Sequence, residues 1–424
     1  MNLKQLHQLY LSSNGICTDT RQIKPKEIFV ALKGHNFNGN KYADEALKKG
    51  ALKAIVDEDF KDMTHKIKVS NSLKTLQDLA SFHRDFLQIP IIGITGSNGK
   101  TTTKRLIHAV LEQKFNVQST EGNLNNHIGV PLSLLKLNEN TEIGIIEMGA
   151  NHKKEIAFLS EIAKPDFGYI TNFGKAHLEG FGGVKGVIKG KSELYDFLKK
   201  HKKLVFVNAD DKKQMMKLRN AKIYSFGEAK HADLNIYFKS ANPFVELEFE
   251  GVSVKSKLIG EYNFKNIVIA VGIGYYFDVP VLKIKSAIQN FEAKDNRSQI
   301  KITSYNTLIS DAYNANPSSM EVALKSFDAY QSDYKVAILG DMFELGKNQL
   351  EEHQHIAKLA TDLNIDRVIF CGEIFNEALD SDKFEVFKNF DNLKQNLHKH
   401  PIKKAHILIK ASRGMALERL HDIL

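Results

Sequence analysis

The densest chemistry in this sequence sits in Thr95-Gly96-Ser97-Asn98-Gly99-Lys100-Thr101-Thr102. Two glycines, a lysine and flanking hydroxyls in that order suit a turn whose backbone N–H groups converge on a phosphate. Lys100 would neutralise charge on the β- and γ-phosphates of a nucleotide, and the Thr101 hydroxyl would ligate Mg2+. The complete phosphate-loop spacing also has a glycine six residues before the lysine, where this chain has Ile94. A second candidate is Glu147, directly after the apolar run Ile143-Gly-Ile-Ile146. A carboxylate at the C-terminal end of a strand suits a Mg2+ that bridges phosphate oxygens. By itself it reads equally as an ordinary strand-end acid.

These residues need elements to hold them. Ile89–Thr95 reads as a short buried strand, and Leu106, Ile107, Val110 and Leu111 follow at helical spacing. The phosphate string therefore lies between a strand and a helix N-terminus, where the helix dipole favours an anion. Ile143–Ile146, Tyr169–Thr171 and Leu204–Val207 read as further buried strands separated by helices, the rhythm of a parallel α/β sheet. Val245, Leu247 and Phe249 alternate with glutamates, and Val252 and Val254 follow Gly251. That period of two predicts a small antiparallel hairpin inserted before a helix near Asn263–Tyr276. A second α/β run begins near Arg297, with strands at Thr307–Ser310, Val336–Leu339, Arg367–Phe370 and Ile407–Ile409. Before Gln88, short strands such as Glu27–Leu32 mix with helical stretches. The expectation is an α/β protein of three domains, 1–88, 89–295 and 296–424, with the phosphate loop in the central parallel sheet.

Composition narrows the partners. The formal charge of +9 raises nucleic acid, but the lysines are scattered or in short runs such as Lys199–Lys203, without interleaved aromatics. A solvated basic surface that tolerates anionic substrates is the reading, with no nucleic-acid partner. The longest apolar run, Ile267–Phe277, is far short of the roughly 20 residues of a membrane span, so no membrane insertion is expected. The N-terminus lacks the features of a signal peptide, and Cys17 and Cys371 stand alone. Both point to a reducing cytoplasmic setting. Phosphate site and fold class do not choose among kinases, ATPases and ligases.

Several unusual strings occur in a fixed order. They are Asn123-Leu-Asn-Asn126, Glu147-Met-Gly-Ala-Asn-His152, Ala176-His-Leu-Glu-Gly-Phe-Gly182, Gly190-Lys191-Ser-Glu193 and Asn263-Phe-Lys-Asn266. Asp311-Ala-Tyr-Asn-Ala-Asn-Pro317 and Leu339-Gly-Asp-Met-Phe-Glu-Leu-Gly346 complete the set. With the phosphate-loop variant, this order resembles the Mur ligase family over essentially the whole chain. Four of the strings are most similar to the member of that family that adds a dipeptide. The resemblance implies a UDP-substrate domain, a central ATPase domain and a C-terminal Rossmann-like domain that receives the amine. It implies that ATP converts the carboxylate of UDP-MurNAc-tripeptide to an acyl phosphate, which the amine of D-Ala-D-Ala then attacks. It also implies a cytoplasmic, monomeric enzyme.

The resemblance carries over residue by residue. Lys100, Thr101 and Glu147 keep the roles given above, and His177 resembles a ligand of a second Mg2+. Lys191 resembles the lysine that these ligases carbamylate, since a carbamate offers hard oxygens where an ammonium offers none. Lys189 and Lys185 are competing alignments. Asn263 and Asn266 resemble the pair beside adenine, with Tyr262 where the family often has histidine. Arg297 and Asp311 resemble phosphate and ribose contacts. Thr20 and Arg21, in Asp19-Thr-Arg21, resemble a pyrophosphate contact, while Phe37-Asn-Gly-Asn40 departs from the family's uracil string at two positions. Asn125, Asn126, Asn151 and His152 would orient the substrate, and Ser412 with Arg413 would meet the dipeptide. The rival enzymes are the ligase that adds the third residue, whose D-N-P-R string is missing here, and a folylpolyglutamate synthase. A nucleotide-binding regulator without turnover is the rival from another class, and the set Glu147, His177 and Lys191 argues against it.

Overall fold

The computed structural model describes all 424 residues and forms four principal sheets. A seven-stranded parallel sheet occupies the centre. Its order is Leu234–Asn235, Lys222–Gly227, Leu204–Asn208, Phe167–Ile170, Ile91–Thr95, Ile143–Glu147 and Val117–Ser119. Ile91, Ile92 and Ile94 are fully buried because helices cover both faces. Each such side chain contributes about 1.5–3 kcal/mol relative to exposure. The strand before the phosphate loop thus sits mid-sheet, and Ile94 pairs in register with Glu147. Loop and carboxylate emerge side by side at the strands' C-terminal ends, where open α/β sheets bind ligands.

The residues before this sheet build a four-stranded parallel sheet of Ile16–Cys17, Ile28–Val30, Lys53–Val56 and Lys66–Lys68. The helix Ser72–Leu87, capped by Asn71, buries Leu76, Leu79 and Ala80 in a core shared with the central sheet. Polar contacts seal the same junction. Tyr10 donates to the Leu135 carbonyl at 2.5 Å, Gln77 to the His127 carbonyl at 3.0 Å, and Arg84 pairs with Asp166 at 2.6 Å.

The expected hairpin is present with one strand more. Phe244–Phe249, whose residues alternate between buried and partly exposed, pairs antiparallel with Val252–Ile259, and Tyr237–Ala241 joins as a third strand. The helix Tyr262–Tyr276 follows. Beyond it lies a six-stranded sheet in the order Gln299–Ile302, Thr307–Ser310, His406–Lys410, Lys335–Gly340, Arg367–Cys371 and Glu385–Phe387. Only Gln299–Ile302 is antiparallel. The helix Pro317–Asp328 starts sharply because Asn316 and Ser319 form a capping box and proline occupies the first turn.

Candidate functional site

The phosphate loop is shaped by its glycines. Gly96 has φ +141°, and a Cβ there would lie 2.0 Å from Thr171 Oγ1. Gly99 has φ +79°, and its Cβ would lie 2.6 Å from Asn266 Oδ1. Only glycine permits both the left-handed backbone and the close approach. Lys100 opens the helix Lys100–Leu111 and folds back on the loop, donating to the Gly96 and Ser97 carbonyls at 2.8 and 3.1 Å. Ser97, Asn98, Gly99, Lys100, Thr101 and Thr102 line a cavity of about 1200 Å3. Thr95, expected on the nucleotide, is instead fully buried in its strand, and neither it nor Gly96 reaches the cavity wall.

Glu147 is 1% exposed beneath this loop. Its carboxylate accepts from Thr101 Oγ1 at 3.1 Å and from Asn125 Nδ2 at 2.8 Å. Lys104 Nζ lies 3.1 Å from Oε2, with both side chains about 2% exposed. Burial by itself would raise the carboxyl's pKa, but the charges of Lys104 and Lys100 and the Asn125 amide outweigh it. The group is held below its ordinary value. Thr101 and Glu147 thus present hard oxygens side by side, the donor set a Mg2+ needs. His177 lines the same cavity. Its Nδ1 meets the Glu344 carboxylate across the junction with the C-terminal sheet, and burial lowers its pKa despite that neighbour. No group of three or more His, Cys, Asp or Glu side chains converges anywhere as a ready metal cage.

The three candidate lysines of the helix Val184–Lys200 differ sharply. Lys185 and Lys189 are exposed, whereas Lys191 is 1% exposed. Its Nζ donates to the Ala150 carbonyl at 3.0 Å and lies 5.1 Å from the Phe181 ring centre. Burial, reinforced by the Lys100 charge, pushes this amine well below the ordinary lysine range. A neutral buried amine is the form that reacts with CO2, and Lys191 is the one of the three in such an environment.

Asn263 and Asn266 lie one turn apart on the cavity wall. Asn263 donates to the Ile259 carbonyl at 2.8 Å and accepts from Asn266 Nδ2 at 2.9 Å. Thr103 Oγ1 donates to Asn266 Oδ1 at 3.1 Å. The pair ties the phosphate-loop helix to its neighbour, and neither caps the helix. Tyr262 lines the cavity and bonds Ser298 through its hydroxyl.

From the C-terminal side, Arg297 and Asp311 line the same cavity. Asp311 accepts from the Ser298 N–H at 3.0 Å and from buried Lys410 at 2.5 Å. Arg297 stacks on Tyr313, its guanidinium carbon 3.5 Å from the ring centre. Arg413 reaches the same ring at 5.1 Å and donates to the Tyr313 hydroxyl at 3.1 Å. Ser412, expected at the dipeptide, is 2% exposed and off the cavity. Its hydroxyl accepts from the Phe343 N–H and donates to the Ala315 carbonyl.

Asn125, Asn126 and Asn151 line the cavity, while His152 does not. Asn126 accepts from the Ile128 and Gly129 N–H groups, which orders the turn into the next helix. The backbone N–H groups of Asn151 and His152 both donate to Glu155. Thr20 and Arg21 lie away from this cavity, in the N-terminal unit. Arg21 is 85% exposed and pairs with Asp19 of its own string at 2.6 Å. Phe37 stacks on Tyr42 at 5.4 Å, both rings exposed.

The central and C-terminal sheets meet directly over the cavity. Asn316 Nδ2 donates to Asn98 Oδ1 at 2.7 Å, and Asn98 Nδ2 to Ser318 Oγ at 3.2 Å. Lys175 pairs with Glu352 at 2.8 Å. Sequence reasoning gave no role to Lys104, Ser318 or Lys410, nor to Tyr313 and Asn316 within the Asp311–Pro317 string. For Lys104 a signal existed, because it is in helical phase with the buried Ile107 and Leu111.

Three family profiles match the chain. The Mur ligase middle domain covers residues 94–274, the Mur ligase glutamate ligase domain 296–413, and the Mur ligase family catalytic domain 13–84. The UDP-N-acetylmuramoyl-tripeptide--D-alanyl-D-alanine ligase of Buchnera aphidicola (subsp. Baizongia pistaciae) is 36% identical, over 98% of this chain and 93% of its own length. MurF from Acinetobacter baumannii superposes with a TM-score of 0.88 at 26% identity, covering 99% of this chain and 98% of its own. The MurF ligase from Thermotoga maritima in complex with ADP gives 0.84 at 25% identity, covering 97% of each.

Proposed function

The chain belongs to the Mur ligase family, and from that premise we propose that it joins D-alanyl-D-alanine to UDP-MurNAc-tripeptide using ATP, in peptidoglycan precursor synthesis. The observation that carries the reading is the shared cavity, where the phosphate loop and Glu147 meet Arg297 and Asp311 from the other sheet. One nucleotide held there touches both units, so the site is complete only when they are together.

The chain's residues divide the work. The loop N–H groups and Lys100 clamp the phosphates, and Arg297, held flat on Tyr313, presents a fixed cation to the transferring group. Asp311, locked by Lys410, is placed to accept from the ribose. Thr101 and Glu147 would hold one Mg2+, and His177 with carbamylated Lys191 a second. A metal held by these residues would neutralise repulsion between phosphate and carboxylate. A carboxylate oxygen of the tripeptide attacks the γ-phosphorus, and ADP leaves. The dipeptide nitrogen then attacks the acyl carbon, the amide bond forms, and phosphate leaves with the charge the clamp has stabilised. Enclosure between the sheets keeps water from the acyl phosphate. Residues 1–88 take the UDP moiety through Thr20 and Arg21, 89–295 the ATP, and 296–424 the amine beside Arg413. The enzyme acts as a monomer in the cytoplasm.

Phosphate release with ATP, UDP-MurNAc-tripeptide and D-Ala-D-Ala, with the product identified by mass, tests this reading. Lys100→Ala is expected to abolish it while remaining folded. Lys191→Ala should do the same, and Lys189→Ala should not. Efficient ligation of lysine or diaminopimelate to the UDP-muramoyl dipeptide, with no use of D-Ala-D-Ala, would place the chain at the preceding addition instead.

A further inference from the structure

The positive charge of this chain is concentrated in one place. Residues 185–222 carry twelve lysines and arginines against four acids, a surplus of eight out of the chain's nine. They comprise the helix Val184–Lys200, the turn after it, the strand Leu204–Asn208, the helix Lys212–Lys217 and the segment to Lys222. Lys191 is buried, and Lys199, Lys200 and Lys203 have acidic partners at 3.2, 3.4 and 2.6 Å. Lys185, Lys189, Lys202, Lys212, Lys213, Arg219 and Lys222 are exposed, Lys217 is partly so, and none of these eight has an ion-pair partner within 4 Å. Three of the four acids are already engaged by backbone N–H groups. Glu193 accepts from Lys154 and Ala157, Asp210 from Glu228, and Asp211 from Gln214 at the helix cap.

The two helices form a groove of about 340 Å3 lined by Lys185, Lys189, Lys199 and Lys217, with Asp196 as its one acid. Met216, 63% exposed, lies on the same short helix as Lys212, Lys213 and Lys217. A helix of this length spans roughly 25 Å, well beyond the screening length of about 10 Å in moderate salt. A small anion therefore meets only some of these lysines at once, and an extended anionic surface is needed to engage them all.

We propose that this face docks on an anionic lipid surface. Three features favour a bilayer over a nucleic acid. Eleven of the twelve cations are lysines, point charges on flexible stems that reach headgroups without needing a fixed geometry. No tyrosine or phenylalanine of the segment is exposed to stack on a base. The exposed Met216 gives an apolar side chain that enters the headgroup boundary while the lysines stay at the phosphates. No helix here is long and apolar enough to cross a membrane, so the attachment is peripheral and reversible. Lys191 and the nucleotide cavity are engaged elsewhere, so docking and catalysis use separate faces of the molecule.

Co-sedimentation with vesicles tests the proposal. The intact protein should pellet with phosphatidylcholine vesicles containing about one-third phosphatidylglycerol, and not with phosphatidylcholine alone. Salt near 1 M, where screening shrinks to about 3 Å, should release it. Each lysine removed weakens partitioning by roughly fivefold, so a K199Q/K212Q/K213Q/K217Q variant should lose about a hundredfold or more. Its thermal melt and phosphate release should match the parent, and M216S should lose a few-fold. Equal binding to neutral vesicles, or undiminished binding by the quadruple variant, would overturn the proposal. So would tighter binding to single-stranded RNA that displaces the protein from vesicles.

Discussion

Replacing Lys104 with methionine isolates the charge beneath the phosphate loop. Lys104 Nζ and Glu147 Oε2 are 3.1 Å apart, and both side chains are about 2% exposed. Methionine fills nearly the same volume, so packing is largely kept and the positive charge alone is lost. Glu147 would retain Asn125 at 2.8 Å and Thr101 at 3.1 Å, both neutral donors, with Lys100 as the remaining nearby cation. Removing one partner of a buried pair costs about 3–5 kcal/mol. The surviving donors favour the lower end, about 3 kcal/mol. For a folding unit of about 200 residues each kcal/mol is worth roughly 2–4 °C, so the melting temperature should fall by about 6–12 °C at neutral pH.

The pH dependence follows with a definite sign. In the parent, Glu147 has a depressed pKa, so its contribution is present above the ordinary value and lost as pH falls through the depressed one. In the variant the carboxylate has lost its principal counter-charge, and the deficit is full near neutrality and shrinks on acidification. Calorimetry from neutral to mildly acid pH, with and without Mg2+ and ATP, reads both effects. A divalent cation at Glu147 replaces the missing charge and should restore much of the loss. A melt within about 1 °C of the parent at neutral pH would refute the reasoning. So would a deficit indifferent to both pH and Mg2+, which would mark a packing defect.

Three further outcomes follow from the geometry. Glu344→Ala with Glu352→Ala removes the Lys175–Glu352 ion pair and the His177–Glu344 contact that join the sheets over the cavity, each worth up to about 1 kcal/mol. Solution scattering should show a larger radius of gyration without ligands and recovery with ATP and UDP-substrate; an unchanged envelope in both states would count against these contacts as the closure. Arg413→Ala should raise KM for D-Ala-D-Ala more than for ATP, and Tyr313→Phe, which loses only the 3.1 Å bond to Arg413, should do so more weakly. Equal effects on both substrates would remove Arg413 from the amine site. His7 Nε2 and His83 Nδ1 are 3.0 Å apart in the junction with the N-terminal sheet, and burial, with mutual repulsion at His7, lowers both pKa values below their ordinary 6.5. Stability should therefore fall as pH drops below about 6.5, by at most about 1.4 kcal/mol per pH unit for each proton bound on unfolding, and His83→Gln should flatten that slope in urea titrations.

What the sequence made legible depended on burial. Ile91–Thr95, Ile143–Glu147 and Leu204–Asn208 are covered on both faces and read as unbroken apolar runs. Val117–Ser119, Gln299–Ile302 and Glu385–Phe387 lie at sheet edges, are only partly covered, and carry no such pattern. The phosphate loop was legible because its chemistry is local, with glycine, lysine and threonine acting within one turn. The floor beneath it was not, because Lys104 finds Glu147 only once two strands are adjacent. The same holds for Lys410 and Asp311, and for Tyr313 between two arginines, whose partners are set by strand order rather than spacing.

The helix Val184–Lys200 shows how much a single period can decide. Val187, Lys191, Leu194 and Leu198 recur at helical spacing and are all buried, so Lys191 belongs to the apolar stripe. Lys185 and Lys189, four residues apart, share the other face with Asp196 and Lys199. An alignment of strings treats the three lysines as competitors for one role, whereas the helix assigns them opposite environments. Moving the reactive lysine by two residues rotates it by about 200° and places it in water. Burial is thus what separates a lysine fit for carbamylation from one fit for docking. The helix can serve both only because its two faces never exchange: the core that desolvates Lys191 also holds the lysines of the opposite face outward.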